Sequence, residues 1–276
     1  MRIAVLSGKG GTGKTLVSVN LAAVSEGSTY IDCDVEEPNG RLFFKPEKVT
    51  EKKVFKDFPV FKASMCKGCR KCVNFCRFNA LVFIKDVPVV FPEVCHSCGG
   101  CSFVCPFGAV SEKKREVGIV EQSSENGVRV VSGILNPGEA SGIPVLKEAL
   151  KSVSRTGLTV IDCPPGSACS VTESAGRADY CLLVAEPTAF GFHNFKMVHK
   201  LVTMLDKPCG VVINKADTSY DVLREYCEEH EIPVLMEIPY DEKIAALAAD
   251  GKIVSREDEK FADMFRELLE KIGGDS

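Results

Sequence analysis

Apolar positions along this chain fall into short runs that alternate with stretches of helical spacing. Residues 2–6, RIAVL, read as a buried strand that stops at a glycine-rich loop. Residues 15–24 carry apolar side chains at helical spacing, and residues 29–33 return to a strand pattern that closes on Asp32 and Asp34. Further on, strands are predicted at 128–134, 158–162, 180–185, 209–213 and 233–238. Helices are predicted at 193–205, 220–230, 243–249 and 260–272. Strands alternating with helices imply an α/β fold, a mostly parallel sheet with helices on both faces and ligands at the strands' carboxyl ends. The middle of the chain breaks this rhythm. Residues 47–56 are charged and read as an approach to an insert, and residues 111–116, SEKKRE, as its polar exit.

Composition narrows the class. With 276 residues, 45% of them apolar, the chain can bury one large α/β core and still carry a small insert. A net charge of -4 disfavours nucleic acid as a partner. The apolar stretches are too short and interrupted to span a bilayer, so a membrane association is not expected. Fourteen cysteines would suit a secreted, disulfide-stapled protein. The first strand, however, runs straight into the glycine loop and leaves no signal peptide, so a cytoplasmic location is expected.

The cysteines themselves are patterned. Cys66, Cys69, Cys72 and Cys76 form C-x2-C-x2-C-x3-C, and Cys95, Cys98, Cys101 and Cys105 repeat it 29 positions later, followed by Pro106. Structural zinc wants four ligands in two pairs separated by a loop. Runs of four at this rhythm suit the corners of iron–sulfur cubanes instead. The segment resembles a two-cluster bacterial ferredoxin. The resemblance implies one 4Fe-4S cluster on Cys66, Cys69, Cys72 and Cys105 and another on Cys76, Cys95, Cys98 and Cys101. Arg77 departs from it, standing where Pro106 stands in the second run. Lys62, Lys67, Arg70, Lys71 and Arg77 make the segment locally basic. That is either an ordinary solvated face or a docking patch for an acidic redox partner protein.

At the other end, Gly8-Lys9-Gly10-Gly11-Thr12-Gly13-Lys14-Thr15 matches G-x4-G-K-[ST], with a strand before it and a helix after. Its glycines turn backbone N–H groups toward phosphate oxygens, Lys14 reaches the β and γ phosphates, and Thr15 ligates Mg2+. With Lys9, the loop resembles the deviant Walker motif of MinD/ParA-type ATPases. The resemblance implies a nucleotide-dependent homodimer in which Lys9 reaches the partner's phosphates. It also implies Asp34 as the residue that positions the attacking water and helps hold Mg2+, and Asp162, in DCPPG, as a second Mg2+ ligand acting through water. Asn214, Pro239 and Asp241 match the base-contacting positions. NKAD at 214–217 also fits a guanine signature, while Lys9 and IPYD favour adenine, so ATP is expected over GTP. Asp32 is read as a strand-end carboxylate capping a turn.

Taken together, the chain resembles MinD-type ATPases with an inserted ferredoxin domain: residues 1–59 and 113–276 as the ATPase, 60–112 as the insert. The resemblance implies an ATP-hydrolysing protein, Mg2+-dependent, coupling dimer closure to electron transfer through two 4Fe-4S clusters. A cluster carrier or assembly scaffold, and a redox-sensing regulator, are the alternatives. A fully ligated, buried cluster unit argues against the carrier. Cys169 lies where the nitrogenase iron protein has a cluster ligand, but residues 136–144 supply no second cysteine, so a contact with the partner subunit is expected of it. The amphipathic stripe of Phe261, Met264, Phe265, Leu268, Leu269 and Ile272 is expected to pack on the ATPase core rather than on lipid.

Overall fold

A computed structural model describes residues 1–154, 156–216 and 221–274. Two sequence expectations touch residues outside these: Asp217 of the NKAD stretch and Tyr220 at the head of a helix. Eleven strands are described: β1 (Arg2–Leu6), β2 (Thr29–Asp32), β3 (Thr50–Phe61), β4 (Leu81–Ile84), β5 (Val87–Val90), β6 (Val110–Glu125), β7 (Val128–Leu135), β8 (Thr159–Asp162), β9 (Tyr180–Ala185), β10 (Cys209–Ala216) and β11 (Val234–Pro239). The helices are α1 (Lys14–Ala23), α2 (Arg41–Phe44), α3 (Lys71–Phe75), α4 (Gly100–Phe103), α5 (Ile143–Ala149), α6 (Cys169–Ala175), α7 (Ala189–Met204), α8 (Val222–Glu229), α9 (Glu242–Ala249), α10 (Val254–Glu257) and α11 (Glu259–Gly274).

The apolar runs become the inner strands of one nine-stranded sheet, ordered β11-β10-β9-β1-β8-β2-β7-β6-β3. From β11 to β7 every pairing is parallel. Both faces of β1 are buried: Ala4 and Leu6 join the core on one side, Ile3 and Val5 the core on the other. That is why the inner strands read as continuous apolar runs rather than alternating ones. On α11, Phe265, Leu268 and Ile272 are buried in the second core and Phe261, Met264 and Leu269 pack against it, as the stripe predicted.

The last two strands differ from the sequence reading. Residues 47–56 and 111–116 are not an irregular approach and exit; most of them belong to β3 and β6, which pair antiparallel from Thr50–Gln122 to Phe61–Val110. Charge hid these strands, because cross-strand ion pairs such as Lys114–Asp57 at 2.9 Å hold residues that look like solvated coil. β6 pairs β7 only from Gly118 to Glu125. Its first part continues with β3 alone, past the carboxyl end of β7, as a two-stranded ribbon. A bulge marks the departure: Val54 faces Gly118 and Phe55 faces Glu116, leaving buried Val117 as the extra residue. The ribbon therefore leaves the sheet at the edge where the parallel strands end.

Residues 62–109 connect the two ribbon strands at the tip and contain the β4–β5 hairpin. Their backbone repeats itself at the 29-residue interval of the cysteines. Left-handed conformations occur at Gly68 and Ser97, at Arg70 and Gly99, and at Asn79 and Gly108. Helices α3 and α4 begin at matching positions, and Ala80 and Ala109 are both buried. The Lys62 N–H donates to the Ala109 carbonyl at 2.8 Å, and the Phe91 N–H donates to Ala80 at 2.9 Å, so each half closes the other.

Candidate functional site

The glycine loop turns at the end of β1 and feeds α1. Gly11 and Gly13 have φ of +78° and +90°. A Cβ at Gly13 would stand 2.1 Å from the Asn214 amide nitrogen, and one at Gly8 would stand 2.4 Å from the Asn194 carbonyl. Gly10 and Gly11 face open space. The loop is thus pressed against the sheet at its ends and bare in its middle, where phosphate oxygens would sit. Thr12 Oγ1 is buried without a hydrogen-bond partner. The Asn214 amide donates to the Thr12 carbonyl at 2.7 Å, and Lys215 donates to the Gly11 carbonyl at 3.2 Å. Asn214, read from the sequence as a base contact, is buried and holds the phosphate loop in place.

Lys14 is buried, and its ammonium donates to the Asp162 carboxylate. Burial works against the charged ammonium, but Asp162 outweighs it and the Lys14 pKa ends above its ordinary value. Tyr30 donates its hydroxyl proton to the other Asp162 oxygen at 2.8 Å. Asp32 accepts from the Gly40 N–H at 2.8 Å and the Asp34 N–H at 3.1 Å, the turn-capping role expected of it. Its carboxyl is pushed up to about 7, by burial first and by the Asp162 carboxylate second. Asp34 is half-buried and its pKa is raised by burial, with Lys14 pulling the other way. Asp34 also lines a cavity of about 560 Å³ with Glu37, Ser141, Gly142, Pro165 and the exposed Cys169.

The remaining sequence candidates divide. Thr15 opens the second position of α1, on the same loop. Lys9 is folded back, and with Lys215 it donates to Glu186. Burial alone would raise the Glu186 pKa, but the two lysines carry it below its ordinary value. Asp241 caps α9, accepting from the Lys243 and Ile244 N–H groups at 2.7 and 3.3 Å, just past Pro239 at the end of β11. Glu186 and Tyr30 went unnoticed in the sequence, and Lys215 was read only as part of NKAD. Only AEP following an apolar run at 180–185, another strand end, could have drawn attention to Glu186.

The eight patterned cysteines separate into two sets. Cys66, Cys69, Cys72 and Cys105 line one cavity, together with Phe83 and Phe107. Cys76, Cys95, Cys98 and Cys101 line a second, together with Phe78 and His96. The fourth cysteine of each run therefore stands with the other run. None of the eight is in a disulfide. Cys72 and Cys95 are buried, whereas Cys69 and Cys98 are exposed, so the unit is less enclosed than its sequence suggests. Among the described residues, no group of three or more His, Cys, Asp or Glu side chains is placed to hold a metal ion.

A sequence profile of the CobQ/CobB/MinD/ParA nucleotide binding domain matches residues 3–254. The chain belongs to that family. Two uncharacterized proteins of Methanocaldococcus jannaschii are each 29% identical to it. One alignment covers 91% of this chain and 90% of the relative, the other 99% and 96%. In fold, this MinD/ParA-type domain is similar to the septum site-determining protein MinD of Pyrococcus horikoshii complexed with Mg-ADP. The TM-score is 0.62 at 18% identity, over 98% of this chain and 95% of that one. It is also similar to the cell division ATPase MinD of Pyrococcus furiosus, with a TM-score of 0.59 at 20% identity over 100% and 99% of the two chains. Among the described residues, no helix of the MinD/ParA-type domain is long and apolar enough to cross a membrane.

Proposed function

We propose that this chain is an Mg2+-dependent ATPase that closes as a homodimer on ATP and thereby controls electron transfer through two 4Fe-4S clusters. Residues 1–59 and 113–276 form the ATPase and 60–112 the cluster domain in this reading. The observation that carries it is the division of the cysteines, four to each cavity, with the fourth of each run exchanged. Thiols distributed around a cavity suit a cofactor in which each thiolate bonds a different iron, whereas a single ion needs its ligands converging on one point. In each such site, the cluster would supply one-electron chemistry.

The chain's own residues do the rest. Phosphate oxygens entering beside Gly10 and Gly11 compete with Asp162 for the Lys14 ammonium. The Asp162 carboxylate so released is free to hold Mg2+ through water, with Thr15 and Asp34 as the other candidate ligands. Asp34 orients a water molecule toward the γ-phosphorus. A water-oxygen bond to phosphorus forms, the bond to the β–γ bridging oxygen breaks, and the water's proton leaves with phosphate or solvent. Lys9 must leave Glu186 before it can reach a partner's nucleotide. Pro239 and Asp241 border the base, and the redox partner is a protein whose acidic face suits Lys67, Arg70 and Lys71.

The test is anaerobic purification with iron and sulfide counts, followed by ATPase rates with the protein oxidised and reduced. About eight irons and eight sulfides per chain and rates that differ between states are expected. Zinc in place of iron, or equal rates, would count against the reading. The exposure of Cys69 and Cys98 favours a second reading, a cluster carrier, because an acceptor thiol could reach these ligands. Cluster transfer to an apo-acceptor on adding ATP would support that reading, and retention of the clusters the first.

A further inference from the structure

The ribbon carries a buried charge. Lys56 of β3 and Glu139 pair at 3.0 Å, with side chains only 7% and 2% exposed. Lys56 Nζ also donates to the Cys95 carbonyl at 3.2 Å, at the rim of the second cysteine cavity. Glu139 is shared with Arg115 of β6. Glu139 thus faces Lys56 through Oε2 and Arg115 through Oε1, while Arg115 Nη1 is buried without a hydrogen-bond partner.

Glu139 also sits on the loop joining β7 to α5, and that loop touches the nucleotide side. The Leu135 N–H donates to the Val35 carbonyl at 2.8 Å. A Cβ at Gly142 would stand 2.4 Å from Val35 Cγ2. Val35 follows Asp34 directly. Contiguous packing therefore runs from Asp34 and Val35 through the 136–142 loop to Glu139, Lys56 and Cys95.

We propose that the Lys56–Glu139 pair sets the reduction potential of the group held by Cys76, Cys95, Cys98 and Cys101, and that the Glu139 loop makes this setting depend on the nucleotide. The inference rests on the iron–sulfur reading above. With Glu139 in place, the Lys56 charge is largely compensated. When the loop withdraws the carboxylate, an uncompensated cation stands beside the cavity and favours the more negative, reduced state. Among the described residues, no such pair borders the first cavity, so its potential stays fixed.

The experiment is a redox titration of the anaerobically purified full chain, following the two clusters separately by electron paramagnetic resonance. E139Q should raise the reduced-to-oxidised ratio of one cluster about tenfold at a given ambient potential, a shift of 59 mV for a one-electron couple. K56M should lower the ratio of the same cluster. Opposite signs distinguish a charge effect from loosened packing, which would move both variants the same way. Mg2+ with a non-hydrolysable ATP analogue should shift the wild-type ratio, and the shift should be lost in E139Q. Shifts of equal sign, shifts in both clusters, or a nucleotide effect retained in E139Q would overturn the proposal while clusters remain present. Wild-type protein without iron and sulfide would overturn the parent reading, and this proposal with it.

Discussion

Gly13 shows how one atom decides the phosphate site. Its left-handed φ and its contact with Asn214 leave no room for a side chain, so G13A strains the backbone and pushes Asn214 off Thr12. The left-handed conformation alone costs an ordinary residue about 1–2 kcal/mol. Nucleotide affinity measured by calorimetry should fall at least tenfold, with the thermal midpoint of the nucleotide-free chain also lowered. Asp32 allows a test by pH. Its folded pKa of about 7 lies above the unfolded carboxyl value of about 4. A proton held more tightly in the folded chain means that its stabilising contribution is complete below pH 4 and lost as pH rises through 7. D32N keeps an acceptor for Gly40 but carries no charge. In melts of nucleotide-free protein it should match wild type near pH 4.5 and exceed it by a few degrees at pH 8. A difference independent of pH would remove Asp32 from the account.

At the level of elements, α11 and the β3–β6 ribbon make contrasting predictions. Phe265 fills the core beneath α11 and is 2% exposed, so F265A should destabilise the chain by about 3–5 kcal/mol in chemical denaturation. The ribbon should tolerate a far larger change. Phe61 faces Val110 at its tip. Replacing residues 62–109 with Asn-Gly would close a two-residue hairpin there. Circular dichroism should show the α/β fold retained, and nucleotide binding should survive; loss of both would mean that the cysteine segment is part of the ATPase core. The contrast also explains what could be read beforehand. The inner strands β1, β8, β9 and β10 announced themselves because burial on both faces demands unbroken apolar sequence. The ribbon did not, since KKVFKD and SEKKRE are held by cross-strand ion pairs and by pairing with each other. The cysteine repeat was visible through its spacing and returns as two cavities of four cysteines, but the triad of Lys56, Arg115 and Glu139 joins positions far apart in the chain and is visible only once the strands are paired.

For the whole molecule, the decisive arrangement is that the phosphate loop, Asp34, Asp162 and the ribbon share the carboxyl edge of one sheet. Assembly should follow the state of Lys9. With Mg2+ and a non-hydrolysable ATP analogue, light scattering should show a mass near twice that of the monomer. K9A should bind nucleotide with little change yet remain monomeric, because the contribution proposed for Lys9 is made across the interface; a dimer of undiminished stability would contradict this. One last consequence belongs to the tip of the ribbon, where the chain departs at Phe61 and returns beside it at Val110. A segment whose two ends are already neighbours can be gained, lost or exchanged without rerouting the host polypeptide. The hairpin is in that sense a socket, and an unrelated peptide with closely spaced termini should be graftable onto the same nucleotide-binding domain.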